Sequence, residues 1–560
     1  MNMDKKIIIY QIFTRLFGNR NTTRKEYGSV AENGCGKMND FDAKTLKRIK
    51  EMGITHVWYT GVIRHATQTD YSAQNIPVQH PAVVKGRAGS PYAITDYYDV
   101  DPDLAVDVDN RMGEFEQLLE RTHQQSMKVI IDFVPNHVAR QYHSIAKPQG
   151  VEDLGQGDNP EHGFDPQNNF YYCPGCCFEP SFSLAGGQGT EPYIEYPAKA
   201  TGNDHFDNRP GVNDWYETVK LNYGVDYYAG GVGYFEPIPN TWHKMLHILL
   251  FWAAKGVDGF RCDMAEMVPA AFWAWATTKV KEQYPQLIFI GEVYNPAQYR
   301  NYIGAGFDLL YDKVGMYDTL RAVTCHGWST QSITQAWQAT DDIAEHMLYF
   351  LENHDEQRVA SSFFAQEGRR GVPALMVSLL LRSNPFMLYA AEEYGEKGMD
   401  KEGFSGCDGR TTIFDYWSID TLCRAAAGKL SKEEKALYDI HCKLMSIACK
   451  EKAAKEGSFF DVMYVNGHLH RQYAFLRKAG NEMLLVAANF DNQAVDIEVT
   501  LPAHAFDWMG IAEKNAVATN LLTAKRQNIT LAKDGKVALH LEASNGVVLK
   551  INTEKPRKKA

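Results

Sequence analysis

The chain has 560 residues, of which 44% are apolar and 23% charged, with a formal net charge of −11. That length is too great for one ordinary core, and the composition is that of a soluble globular protein of two or three domains. The acidic balance, with no Lys/Arg block near the motifs below, argues against nucleic acid as a partner.

The first residues, MNMDKKIIIYQIF, start with charge like a signal peptide. The apolar run is short and broken by Gln11, and no small-residue cleavage site follows, so it reads as a first strand, Ile7 to Phe13. No later stretch is long and apolar enough to span a membrane. Ten cysteines without regular spacing suit reduced thiols in a cytoplasm better than a disulfide framework. The expectation is a cytoplasmic protein with no membrane partner and an oligomeric state that cannot be read.

Asp40 is expected to cap a helix from Ala43 to Met52, followed by a strand from Ile54 to Tyr59. After a long loop containing Ser90-Pro91-Tyr92-Ala93-Ile94-Thr95-Asp96-Tyr97-Tyr98, a helix from Met112 to Gln125 leads to a third strand, Lys128 to Val134. From about 138 to 235 the alternation stops. This segment, rich in Gly, Pro, Asn and Tyr, is too long for a loop and reads as an inserted functional subdomain. Alternation resumes with a helix from Thr241 to Lys255 and a short run ending in Arg261-Cys262-Asp263. Further strands end at Glu292, Tyr311 and Asp355, and an eighth, Phe386 to Ala391, precedes Glu392 and Glu393. Eight βα units predict a closed α/β barrel, with catalytic groups at the C-terminal strand ends.

After a helix from Lys432 to Ala448 the pattern changes to short alternating runs, Phe459 to Val465, Gln472 to Arg477, Met483 to Asn489, Val495 to Leu501 and Val547 to Ile551. Turn signals such as Asn466-Gly467 and Asp534-Gly535 separate them, which predicts an antiparallel β-sandwich. The basic tail, Lys555 to Ala560, is expected to be disordered. The expected layout is barrel over 1–137, insertion over 138–235, barrel again over 236–452, and the β-sandwich over 453–560.

In a strand, residues i and i+2 face one side, so Arg261 and Asp263 project together. An arginine beside a carboxylate favours its ionised form, and an ionised carboxylate at a strand end is a candidate nucleophile. The bland alternative, a structural ion pair, loses weight because three more stretches end strands in the same way. They are Asp132-Phe133-Val134-Pro135-Asn136-His137, Gly291-Glu292-Val293 and Glu352-Asn353-His354-Asp355.

Together these stretches, in this order, resemble the conserved motifs of the α-amylase family, glycoside hydrolase family 13. YAITDYYDVDP resembles that family's loop after strand two, and Leu221-Asn222-Tyr223 a short stretch late in its inserted domain. The resemblance implies a (β/α)8 TIM barrel with an insertion after strand three and a C-terminal β domain. It further implies Asp263 as nucleophile, Glu292 as general acid/base, Asp355 as transition-state stabiliser and Arg261 as the residue orienting Asp263. His137 and His354 would bind hydroxyls of the sugar at the cleavage subsite, and Tyr92 would stack on it. Retaining glycosidases need one ionised and one protonated carboxyl about 5 to 5.5 Å apart. Glu292 has apolar neighbours, Ile290 and Val293, and no adjacent cation in sequence, which suits a carboxyl that keeps its proton.

The sequence departs from the family where many members carry Lys-His, three and four residues after the nucleophile, and this chain has Glu266-Met267. That puts in doubt acceptor-side contacts and a backbone calcium contact. No cofactor is required; calcium is possible, with Asn136 a candidate ligand. Cys173-Pro174-Gly175-Cys176-Cys177 looks like half a zinc site, with His162 or Cys35 as possible completions, against a reading as free or packed thiols.

The leading reading is a retaining hydrolase of α-1,4-glucosidic bonds in starch, glycogen or maltooligosaccharides. The runner-up, a glucanotransferase or maltosyltransferase, would use the same site. A non-catalytic carbohydrate-binding protein ranks below both, because no catalytic carboxylate is missing. Ala93 follows the stacking tyrosine where exo-acting, glucose-releasing members carry Asp, so a cleft open on the non-reducing side is expected.

Overall fold

The structure, a computed structural model, describes residues 6–184, 191–398 and 406–554. Its centre is a closed barrel of eight parallel strands. These are β1 (Ile8–Phe13), β2 (His56–Thr60), β3 (Lys128–Phe133), β4 (Gly259–Cys262), β5 (Ile288–Gly291), β6 (Leu309–Tyr311), β7 (Met347–Phe350) and β8 (Phe386–Tyr389). Each pairs with its sequence neighbours, and β8 closes on β1 through Ile8 opposite Phe386. The expected strands are all present, with bounds that shift by one or two residues at one end or the other. The strands are buried on both faces, as parallel strands under a layer of helices must be. Phe260, Phe289, Trp252 and Trp273 are fully buried among them, and each such side chain contributes about 1.5–3 kcal/mol by leaving water.

The first long helix, Ala43–Glu51, is capped by Asp42, whose carboxylate accepts from the Thr45 backbone at 2.7 Å. Asp40, the expected cap, instead accepts from the Lys37 backbone and closes the preceding turn. Between β3 and β4 the chain makes short antiparallel pairs, including His137–Ala139 with Thr218–Lys220 and Tyr172–Cys173 with Ala198–Lys199. The first of these continues directly from the end of β3, so the inserted segment begins at the rim where Asn136 and His137 stand.

The C-terminal region is antiparallel. Six strands pair in the order β9 (Ser458–Asp461), β10 (Gln472–Ala479), β11 (Glu482–Asn489), β16 (Asn545–Asn552), β13 (Lys514–Asn520), β14 (Arg526–Leu531). A second sheet pairs β12 (Val495–Leu501) with β15 (Gly535–Leu541). The expected run from Phe459 to Val465 divides into β9 and a 3₁₀ turn, Met463–Val465. β13, β14 and β15 were not anticipated. In β14 only Ile529 and Leu531 are buried, so two apolar residues carry the alternation. The basic tail lies outside the described residues. Among the described residues no helix is long and apolar enough to cross a membrane.

Candidate active site

Arg261 organises the C-terminal rim. It is fully buried on β4, and its Nη1 donates to Asp263 Oδ1 at 2.6 Å, as the alternation of a strand requires. The register sets Asp132 of β3 beside Arg261, and their nearest charged atoms lie 3.7 Å apart. On the other side, Arg261 Nη2 is 2.7 Å from Glu292 Oε2, an ion pair without hydrogen-bond alignment. Asp355 Oδ2 stands 3.9 Å from the same nitrogen. The guanidinium also lies 5.3 Å from the ring centroids of both Trp58 and Tyr92. One cation therefore serves four carboxyl groups.

Burial pushes Asp263 well above the usual carboxylate range, against Arg261, and the charges of Glu292 and Asp355 push it further. The expectation that Arg261 simply holds Asp263 ionised is thus corrected for the resting site. Its physical reason is crowding: four carboxyls around one guanidinium cannot all ionise, so the cluster retains a proton. Asp263 Oδ2 is buried with no hydrogen-bond partner among the described residues. The expectation that Glu292 lies away from any cation is likewise corrected, because Arg261 comes from the neighbouring strand. Asp355 behaves oppositely: burial raises it, but His354 and Arg261 outweigh burial and hold it at about 2. Its side chain is 39% exposed, facing the cleft.

His354 is gripped on both ring nitrogens. Gln11 Nε2 lies 2.7 Å from Nδ1, while Tyr92 OH at 2.5 Å and Asp355 Oδ2 at 3.0 Å lie at Nε2. The Tyr92 ring stacks on the imidazole with centroids 5.2 Å apart. His137 packs against Trp215 at 5.1 Å, and burial, then the Lys220 charge, depress it to about 3, so it is neutral at ordinary pH. Asp263, Glu292, Asp355, His137, His354 and Tyr92 all line one cleft of about 500 Å³. Arg261 sits beneath it. All the sequence-predicted site residues are thus brought together except Asn136, which lies behind His137, with Asn136 Nδ2 at 3.1 Å from the His137 ring.

Several contributors escaped the sequence reading. Tyr294 OH donates to Glu292 Oε1, and the Met264 backbone donates to Oε2 at 2.8 Å. Met264 adopts the left-handed region, φ 43°, which costs a non-glycine residue about 1–3 kcal/mol and is stored strain at a site that uses the exposed N–H. Tyr294 follows Glu292 by two residues, the same spacing as Arg261 and Asp263, so that signal was available. Gln11 had none, since only barrel closure brings β1 beside β7's end. Glu266 accepts from the backbones of Tyr294 and Asn295 and braces the turn that carries Glu292. Ala93 does not face the cleft; it is buried with Ala66, Val84 and Ala139, so the open-cleft expectation loses its basis.

Calcium does not fit Asn136 as the chain is folded. Its Oδ1 accepts a hydrogen bond from Lys220 Nζ, and its Nδ2 donates to Gly202 O at 2.8 Å. A side chain on Gly202 would collide with Thr218 Oγ1 at 2.4 Å and His137 Cβ at 2.9 Å, so the approach is possible only for glycine. Cys173 Sγ meets Phe206 O at 3.6 Å, and all ten cysteines are free thiols. Among the described residues no three His, Cys, Asp or Glu side chains gather as a metal-binding group.

Comparison with known proteins agrees with this geometry. The family model described as alpha amylase, catalytic domain, matches residues 11–181 and 236–443, and that of the alpha amylase C-terminal all-beta domain matches 464–552. Alpha-amylase 3 of Dictyoglomus thermophilum is 23% identical over 81% of this chain and 79% of its own length. A cyclomaltodextrin glucanotransferase of a Bacillus species is 22% identical over 87% of this chain but only 60% of its own. Among solved structures, a noncanonic maltogenic alpha-amylase, AmyB of Thermotoga neapolitana, shares the fold over 99% of this chain and all of its own, with a TM-score of 0.63 at 20% identity. The alpha-amylase of Geobacillus thermoleovorans, complexed with acarbose, gives 0.65 at 18% identity over 98% of this chain and 99% of its own.

Proposed function

The chain belongs to the α-amylase family of glycosidases and transglycosylases, and on that premise we propose that it is a retaining hydrolase of α-1,4-glucosidic bonds in starch, glycogen or maltooligosaccharides. The observation that carries the proposal is the Arg261 fork. It holds Asp263 and Glu292 each within 2.7 Å of one planar guanidinium. Two carboxyls sharing one fork suit the retaining spacing of about 5–5.5 Å better than the inverting spacing of about 6.5–9.5 Å.

Asp263 attacks the anomeric carbon while Glu292 gives its proton to the departing glycosidic oxygen, forming a covalent glycosyl-enzyme. Glu292 then takes a proton from water, which displaces Asp263 from the same carbon. Asp355, kept ionised, offsets the positive charge of the oxocarbenium-like transition state. Tyr92 offers a ring face to the sugar and His137 a ring nitrogen to its hydroxyls, while His354, held on both ring nitrogens, fixes Tyr92 and Asp355 in place.

Transfer to a second sugar uses the same intermediate and is the competing reading, favoured by the glucanotransferases among the relatives. Incubation with maltoheptaose, with and without added maltose, separates them. Hydrolysis predicts fragments no longer than the substrate and a product pattern unmoved by maltose. Products longer than maltoheptaose, growing with added maltose, would instead assign the chain to the transferases.

A further inference from the structure

Three parts of the chain converge on one buried ammonium. Lys220, 2% exposed, ends the strand Thr218–Lys220 of the inserted segment. Its Nζ donates to Asn136 Oδ1 in the turn after β3, and to Met267 O in the turn after β4 at 3.3 Å. It also lies 2.6 Å from Asp204 Oδ1, elsewhere in the inserted segment. Carboxamide oxygen, carboxylate oxygen and backbone carbonyl make up the donor set that a hard divalent cation takes, with calcium at about 2.3–2.6 Å from each oxygen. An ammonium among those oxygens and a calcium ion cannot share them, since both need the same lone pairs and their charges repel.

The convergence lies at the chemistry. Met267 is in the turn that opens with Asp263, and Asn136 Nδ2 contacts both the His137 ring and Gly202. A fixed positive charge at this point therefore joins the inserted segment to two catalytic turns. We propose that the Lys220 ammonium does the work of a structural divalent cation at this junction, so that the fold requires no calcium, and that Lys220 is a positioning residue for Asp263 and His137. A covalently attached cation cannot be chelated or diluted away, unlike a bound ion.

Thermal unfolding tests this independently of which glycosyl reaction the enzyme performs. The wild-type melting temperature is expected to be the same in EDTA and in calcium chloride. Lys220→Met keeps the length of the side chain but removes charge and donors, leaving Asp204 without its buried partner. It should lower the melting temperature by on the order of 5 °C. Lys220→Ser should melt low in EDTA and recover several degrees in calcium chloride, because water and calcium can enter among the same three oxygens. A merely space-filling lysine would show no such calcium dependence. Titration calorimetry with calcium alone should detect one site in Lys220→Ser and none there in the wild type. If the wild type loses several degrees in EDTA and regains them with calcium, a metal holds the junction and the proposal is overturned. A Lys220→Met protein as stable as the wild type, or a Lys220→Ser protein indifferent to calcium, overturns it equally.

Discussion

The Asp263 carboxyl accepts one hydrogen bond, from Arg261, and its second oxygen has no partner among the described residues. Replacement by Asn preserves shape and size but removes the proposed nucleophile, so Asp263→Asn should lose about 10⁴-fold or more in turnover with an unchanged melting curve. Ordinary activity in the purified variant would remove Asp263 from its role. Tyr294→Phe deletes one hydrogen bond to Glu292, so kcat should fall roughly tenfold, with KM little changed, since the hydroxyl touches the proposed acid/base rather than a sugar-binding group. An altered KM with unchanged kcat would place Tyr294 on the substrate instead. At this scale the sequence was informative where chemistry follows strand alternation, as with Arg261 and Asp263. It was silent where partners arrive from distant strands. Nothing near Gln11 says that it will stand beside His354, and although Asp132 was read among the acidic strand ends, the crowding that raises Asp263 exists only once four strand ends meet.

The loops after β2 and β8 and the inserted segment form a wall beyond Tyr92. Lys85 pairs with Glu217 at 3.0 Å, and the Ala88 backbone donates to Phe414 O at 3.0 Å. Arg15 Nη2 donates to both Gly89 O and Ile413 O, at 2.7 and 2.9 Å. Trp215, Glu217, Lys85 and Phe414 all line the cleft. The residue after the tyrosine says nothing about this end of the cleft, because its methyl points into a small buried cluster rather than at the substrate. A walled end predicts that maltoheptaoside blocked at its non-reducing end is cut more slowly than the free sugar. Trp215→Ala should narrow that difference several-fold. Equal rates on the two substrates in the wild type would show the cleft to be open there. The elements themselves were legible in proportion to their apolar patterning. All eight barrel strands could be read, whereas β13 and β14, with few buried positions, gave little pattern, and β15 was missed although Val537, Leu539 and Leu541 alternate in it.

The whole molecule joins its two β-structured parts through buried polar contacts. Arg477 of β10 is fully buried and donates to Leu380 O at 3.1 Å and Ser383 Oγ at 3.0 Å, both from the stretch leading into β8. At the other end of β8, burial raises Glu393 to about 7, and its Oε1 accepts from Tyr10 OH at 2.7 Å. An unfolded Glu releases its proton near pH 4.3, so between there and about 7 unfolding releases a proton that the folded state keeps. Stability from this group is therefore complete below about 4.3 and declines as pH rises through about 7, by about 4 kcal/mol in all. Glu393→Gln keeps an acceptor for Tyr10 and removes the titration. It should melt higher than the wild type at pH 8, with the gap closing by pH 4. A constant gap, or none, would show that Glu393 does not titrate in this range.

The central claim is that Asp263 and Glu292 act in turn on one anomeric carbon, and the configuration of the first product tests it most directly. Two displacements at that carbon restore the starting geometry. Proton NMR, recorded on maltoheptaose before mutarotation sets in, should therefore show the new reducing end as the α-anomer, with β-anomer appearing only later. A β-anomer formed first would mean a single displacement by water, and would contradict both the role of Asp263 as nucleophile and the retaining geometry of the Arg261 fork.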